Sequence, residues 1–150
     1  MKFIAHRGLM DGPDKELENH PDQIITAFKL NFDSEIDLWR VDGELFLGHD
    51  EPQYFIKPDF LRLHGLWIHA KNLDALHWLS TTDLHYFWHE NDDFTMTSRH
   101  YIWTYPGKEL TDRSVTVMPE TLDNFLEEQY NCYAVCSDYV GLIRKNYVTK

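Results

Sequence analysis

Eight short apolar or aromatic runs crowd into 150 residues, and only three stretches of helical spacing stand between them. The runs are FIAHRG, SEIDLW, LWIHAKN, LHYFWHE, FTMTSR, YIWTYP, SVTVMPE and CYAVCSDY. Helical spacing is confined to HPDQIITAFKL (20–30), NLDALHWLSTT (72–82) and ETLDNFLEEQY (120–130). Strands alternating with helices predict an α/β sheet, and eight of them would close a (β/α)8 barrel, which ordinarily needs about 250 residues. Here FTMTSR runs almost directly into YIWTYP, and only the polar loop PGKELTDRS separates YIWTYP from SVTVMPE. The expectation is a compact TIM-type barrel with several helices missing or shortened. The alternative is an open α/β sheet of about five or six strands.

This length predicts one domain over residues 1–150, and a 43% hydrophobic content supplies its core. A formal charge of −11 with no dense Lys/Arg stripe argues against nucleic acid or an anionic membrane as partner. An anionic ligand would need a few local cations or a metal. No apolar run approaches the ~20 residues that span a bilayer. Met1-Lys2 leads straight into FIAHRG with no room for a signal-peptide core, so the expected location is the cytoplasm. Cys132 and Cys136 fit no CxxC or four-ligand zinc pattern and read as ordinary thiols.

The chemistry begins at IAHRG. A strand ending in His6-Arg7-Gly8 brings a proton-transfer group and a fixed cation to its end, and Gly8 permits a sharp turn. In SEIDLW, Glu35 and Asp37 lie two apart and share one strand face, with Ser34, Ile36 and Leu38 on the other. Two carboxylates projecting together repel unless one is protonated or a cation sits between them, which is the geometry of a hard-metal site. Asp42-Gly43 is a two-residue hairpin signal. It pairs Val41 with Glu44, Asp37 with Gly48 and Ile36 with His49, which brings His49 back to the carboxylates. Strict alternation puts His49 on the wrong face, so a bulge near Gly48 is expected.

The order His6-Arg7-Gly8, Glu18-Asn19, Ala27-Phe28, Glu35-x-Asp37, Asp42-Gly43 and His49-Asp50-Glu51-Pro52 resembles the glycerophosphodiester phosphodiesterases. LWIHAKN, YIWTYP and CSDYV are similar, more loosely, to later strands of that family. The resemblance implies a TIM barrel and metal-dependent phosphodiester cleavage by attack of the substrate's own hydroxyl through a cyclic phosphate. It makes His6 and His49 the acid/base pair and Glu35 and Asp37 metal ligands. Arg7 and Lys71 would meet the phosphate, Trp103 would line the substrate pocket, and Glu18, Asn19 and Asp50 would support the ligands or join them.

The family closes its metal site with a glutamate two residues before the third-strand lysine, where this chain has His69-Ala70-Lys71. Either His69 is the third ligand, and a nitrogen donor then shifts preference from magnesium or calcium toward manganese or zinc, or Glu90 supplies the oxygen and His69 lines the core. The expected cofactor is thus a divalent ion among Mg, Ca, Mn and Zn, and the expected partner a small phosphodiester. Asp138 is read as a residue behind the site. The alternatives are a phosphodiester-binding module without turnover and a lyase that stops at the cyclic product. Barrel faces without helices would expose apolar strand surface, from which a homodimer is expected.

Overall fold

A computed structural model describes residues 1–149 of the chain. One sheet contains β1 (Lys2–Ala5), β2 (Asp33–Val41), β3 (Glu44–Leu47), β4 (Tyr54–Ile56), β5 (Leu66–Ala70), β6 (Tyr86–Phe87), β7 (Phe94–Met96), β8 (Ile102–Thr104), β9 (Ser114–Val117) and β10 (Ala134–Ser137). The helices are α1 (Pro21–Lys29), α2 (Leu73–Ser80) and α3 (Val140–Val148). Parallel pairing runs β6-β5-β2-β1-β10-β9-β8, and β7 adds antiparallel to β8. The β3-β4 ribbon branches from the far end of β2.

This is a mixed α/β fold whose sheet curls around an inner core of Ile4, Trp67, Phe87, Trp103, Val115, Ala134 and Cys136. It has more strands than the open-sheet alternative, and the expected ring of eight parallel strands is not complete, because β7 is reversed. No ladder joins β6 to β7. Instead Ser98 N–H donates to the Tyr86 carbonyl (2.8 Å), and His85 Nε2 meets Thr97 Oγ1 (2.8 Å). The seam therefore rests largely on side chains.

Helices form where an apolar face meets the sheet's outer side. In α1, Ile24, Ala27 and Phe28 repeat at three and four residues, Pro21 occupies the first turn, and His20 Nδ1 accepts from Asp22 N–H at 3.2 Å. In α2, Asn72 Oδ1 caps Ala75 N–H at 3.0 Å, and Ala75 and Leu79 pack beneath. Both match expectation.

The helix expected over 120–130 does not form. Met118 takes a left-handed backbone (φ 45°), Pro119–Thr121 makes one 3-10 turn, and Leu122 is extended. Asn124 is again left-handed (φ 62°). Glu127 and Glu128 would have placed two anions at the negative end of such a helix. The segment instead lays Phe125, Leu126 and Tyr130 against Val135 of β10 and Ile143 of α3. Sequence reading missed α3, whose Gly141 sits where an added Cβ would lie 3.0 Å from the Met10 carbonyl. Outside β7, Phe94 and Met96 stay exposed.

Candidate active site

Every parallel strand near the middle of the sheet ends at the same rim, the usual place for a ligand in a parallel α/β sheet. β1 delivers His6 there, and the chain reverses through Arg7 (φ 51°) and Gly8 (φ 81°). A left-handed arginine is costly, and four contacts hold it. Its N–H donates to Glu35 Oε2 (3.1 Å), its carbonyl accepts from Asn19 N–H (2.8 Å), and its guanidinium meets Glu18 (2.9 Å) and Asp37 (3.3 Å). The Asp37 contact is an ion pair by distance only, since Arg7 Nε has no aligned acceptor.

Alternation along β2 turns Ile36 and Leu38 toward the helices and Glu35 and Asp37 inward, where both are almost completely buried. The parallel register sets His69 of β5 beside Asp37. Carboxylate oxygens of Glu35 and Asp37 and a His69 ring nitrogen lie within 4.8 Å of one another. His69 Nδ1 is 3.2 Å from Asp37 and 3.8 Å from Glu35, while Nε2 is 2.9 Å from the His89 carbonyl. A carbonyl only accepts, so Nε2 carries a hydrogen. Nδ1 then faces the carboxylates either protonated or with a lone pair toward a shared cation, the arrangement of a metal-binding histidine oriented from behind.

Burial and the neighbouring Asp37 charge push the Glu35 carboxyl up from its ordinary value. Burial would do the same to Asp37, but the His69 hydrogen bond and the His69, Arg7 and Lys71 charges hold it well below the carboxylate range. One carboxyl thus resists ionisation while its neighbour is strongly ionised, a strain that a cation would relieve. Asn19 fixes the ionised one. It is fully buried, donates through Nδ2 to Asp37 Oδ2 (2.8 Å) and accepts from Asp37 N–H (2.9 Å).

His6 Nδ1 lies 2.7 Å from Asp138 Oδ1, leaving Nε2 toward Glu35 at 3.9 Å. Burial works against the charged ring, but the Asp138 bond and the Glu35 charge outweigh it and raise the His6 pKa. Asp138 is held in turn, because Glu120 accepts from Asp138 N–H (2.9 Å) and from Ser137 Oγ (2.8 Å).

The hairpin has the expected register from Val41–Glu44 to Leu38–Leu47, with a 3.2 Å bond from Gly48 N–H to the Asp37 carbonyl. The expected bulge is replaced by a break. Pairing stops at Leu47, Gly48 takes φ 154°, and Trp39 Nε1 holds the Gly48 carbonyl at 2.6 Å. His49 leaves the ladder into the cleft, with Nδ1 2.8 Å from Asp50.

The cleft measures about 660 Å³ and is lined by His6, Arg7, Glu35, Asp37, His49, His69 and Lys71. Trp103 also lines it, its ring tilted 31° to Phe87 with centroids 4.4 Å apart. Glu18 holds Arg7 and Asp50 holds His49, and neither joins the three-ligand group. Glu90 lines the cleft but stays outside that group, so among the described residues His69 completes it. Sequence reading missed Glu120 behind Asp138, and Met118, Thr121 and Leu122 on the far wall. No local signal could have found them, since Met118 ends a run read as strand and the others lie in the segment read as helix.

Compared with protein-family models, curated proteins and solved structures, the chain matches none of them.

Proposed function

We propose that this cleft binds and cleaves a small phosphodiester, with a divalent ion held by Glu35, Asp37 and His69. The observation that carries the reading is a pair of histidines beside one carboxylate-imidazole cluster, each with Nδ1 on an aspartate: His6 on Asp138 and His49 on Asp50. Such partners fix the tautomer and orientation of each ring and leave Nε2 free for proton transfer, as a displacement with a histidine at each end requires. The strand order and strand-end site fit a reduced TIM-type barrel.

Charge supports the ion. The cleft sets the carboxylates Glu35, Asp37 and Glu90 beside the two fixed cations Arg7 and Lys71, so a divalent ion there would strengthen the hold on a phosphodiester. When bound, the ion supplies Lewis-acid charge to the phosphate oxygens. The donor set of two oxygens and one nitrogen favours manganese or zinc over magnesium or calcium.

The chain's own groups then divide the proton work. One histidine takes the proton of a substrate hydroxyl as its oxygen bonds to phosphorus, and the other protonates the departing alcohol oxygen. The product is a cyclic phosphate and a free alcohol. Water opens the ring with the two roles reversed, or the cyclic product leaves and the reaction is that of a lyase.

One observation favours a second reading, a binding module without turnover: Arg7 already spends its guanidinium on Glu18 and Asp37. The deciding experiment adds Mg, Ca, Mn or Zn separately to metal-free protein with glycerophosphodiesters. The expected result is turnover with Mn or Zn that His6→Ala and His49→Ala each lower at least about a hundredfold, the usual contribution of a general acid or base. Folded protein that binds the diester calorimetrically but never turns it over would establish the module instead.

A further inference from the structure

The cleft has two chemically different walls, and the sheet order separates them. Charged groups come from β1, β2, β5 and the hairpin, and Glu90, flanked by His89 and Asn91, adds one from the loop after β6. Facing them across the curl, β8, β9 and the loops that follow contribute Trp103, Pro106, Val117, Met118 and Leu122, with no charged side chain among the lining residues described there. Tyr105 and Thr121 are the remaining members of this wall, and the Thr121 hydroxyl is spent on the Met118 carbonyl at 2.9 Å. A cleft of about 660 Å³ holds far more than a phosphate group.

We infer that the substrate's leaving alcohol is an apolar group, aliphatic or aromatic, that lies against the β8-β9 wall; this rests on the phosphodiesterase reading. With phosphate at the cation-bearing wall and His6 on β1 between the two halves of the sheet, one ester substituent must extend toward Met118 and Leu122. A glycerol there would bury hydroxyls with few partners, whereas an alkyl chain buries only apolar surface. The substituent carrying the attacking hydroxyl stays on the polar side, where His49 and Lys71 can meet it. Met118 is well placed as a probe. Its left-handed backbone (φ 45°) suits asparagine better than methionine, so Met118→Asn makes the wall polar with a residue the backbone accepts, at the cost of the methionine's packing on the inner core.

The test compares glycerophosphohexanol with glycerophosphoglycerol, measuring kcat/KM with the ion-loaded protein and Kd by calorimetry with the His6→Ala variant. The leaving group is a primary alcohol in both; glycerol is the more acidic and so the better leaving group, which biases kcat/KM against the hexyl ester. The Kd ratio, free of that bias, reads the wall. A preference for the hexyl ester of at least about tenfold, the scale of apolar-pocket discrimination, is expected in both measurements. Met118→Asn should shrink it severalfold, with Leu122→Ser as the second variant if the first fails to fold. A ratio near or below one, with turnover intact, would overturn the inference and leave the phosphodiesterase reading standing. Neither binding nor turnover of either diester would overturn both.

Discussion

Replacing Asn19 with alanine removes the side-chain amide that holds Asp37 in place. The cost can be assembled from two hydrogen bonds and one backbone conformation. Asn19 Nδ2 donates to a carboxylate at 2.8 Å, and a bond to a charged group contributes roughly 1.5–3 kcal/mol. Its Oδ1 accepts from Asp37 N–H at 2.9 Å, and a buried N–H left without a partner costs roughly 1–3 kcal/mol. Its backbone is left-handed at φ 60°, which asparagine tolerates and alanine resists by about 1 kcal/mol. Water entering the space recovers part of this, so the expected loss is about 4 kcal/mol. For a chain of 150 residues that lowers Tm by roughly 10 °C. Urea unfolding followed by far-UV circular dichroism gives the free energy. Asn19→Gly spares the backbone term and should lose about 1 kcal/mol less, unless its looser unfolded chain offsets the gain. Manganese affinity, read by electron paramagnetic resonance, should fall about 10–100-fold because Asp37 loses its orientation. A loss below about 1 kcal/mol with unchanged affinity would refute the assignment of Asn19 as the support of Asp37.

Gly48→Ala should displace His49 rather than unfold the chain, because the added Cβ would lie 2.0 Å from the Glu51 carbonyl oxygen. Turnover should fall at least about tenfold while the far-UV spectrum stays the same, and wild-type activity would contradict the break at Gly48 as the device that delivers His49. His69→Glu should move metal preference from manganese or zinc toward magnesium or calcium, measured by competition calorimetry; an unchanged order would remove His69 from the ligand set. Burial, aided by Arg99, lowers the His85 pKa from 6.5 to about 4. The unfolded chain then binds the proton first, so this group's contribution is present above pH about 6.5, declines toward about 4 and stays lost below. That difference in proton affinity corresponds to roughly 3 kcal/mol, reduced by solvent screening to about 1–2. His85→Gln should flatten the acid limb of stability against pH by that amount in paired urea titrations, and parallel curves would refute it.

The sequence by itself determined what depends on neighbours along the chain. Alternation placed Glu35 and Asp37 on one face, Asp42-Gly43 made the hairpin (φ 52° and 82°), and apolar spacing with caps made α1 and α2. Each is settled by backbone geometry over a few residues. The helix expected at 120–130 failed because its apolar residues pack against Val135 of β10 and Ile143 of α3, a demand set by elements outside the segment. His69 shows the same division. Its spacing from Lys71 was legible, but its role followed from a β2-β5 register that sets it beside Asp37 and from the His89 carbonyl that fixes its hydrogen. Asp138 and Glu120 stand behind His6 from more than a hundred residues away, where no local periodicity reaches. Only the curl of the sheet brings the uncharged β8-β9 wall opposite the carboxylates, because facing across a sheet is a property of strand order and not of spacing.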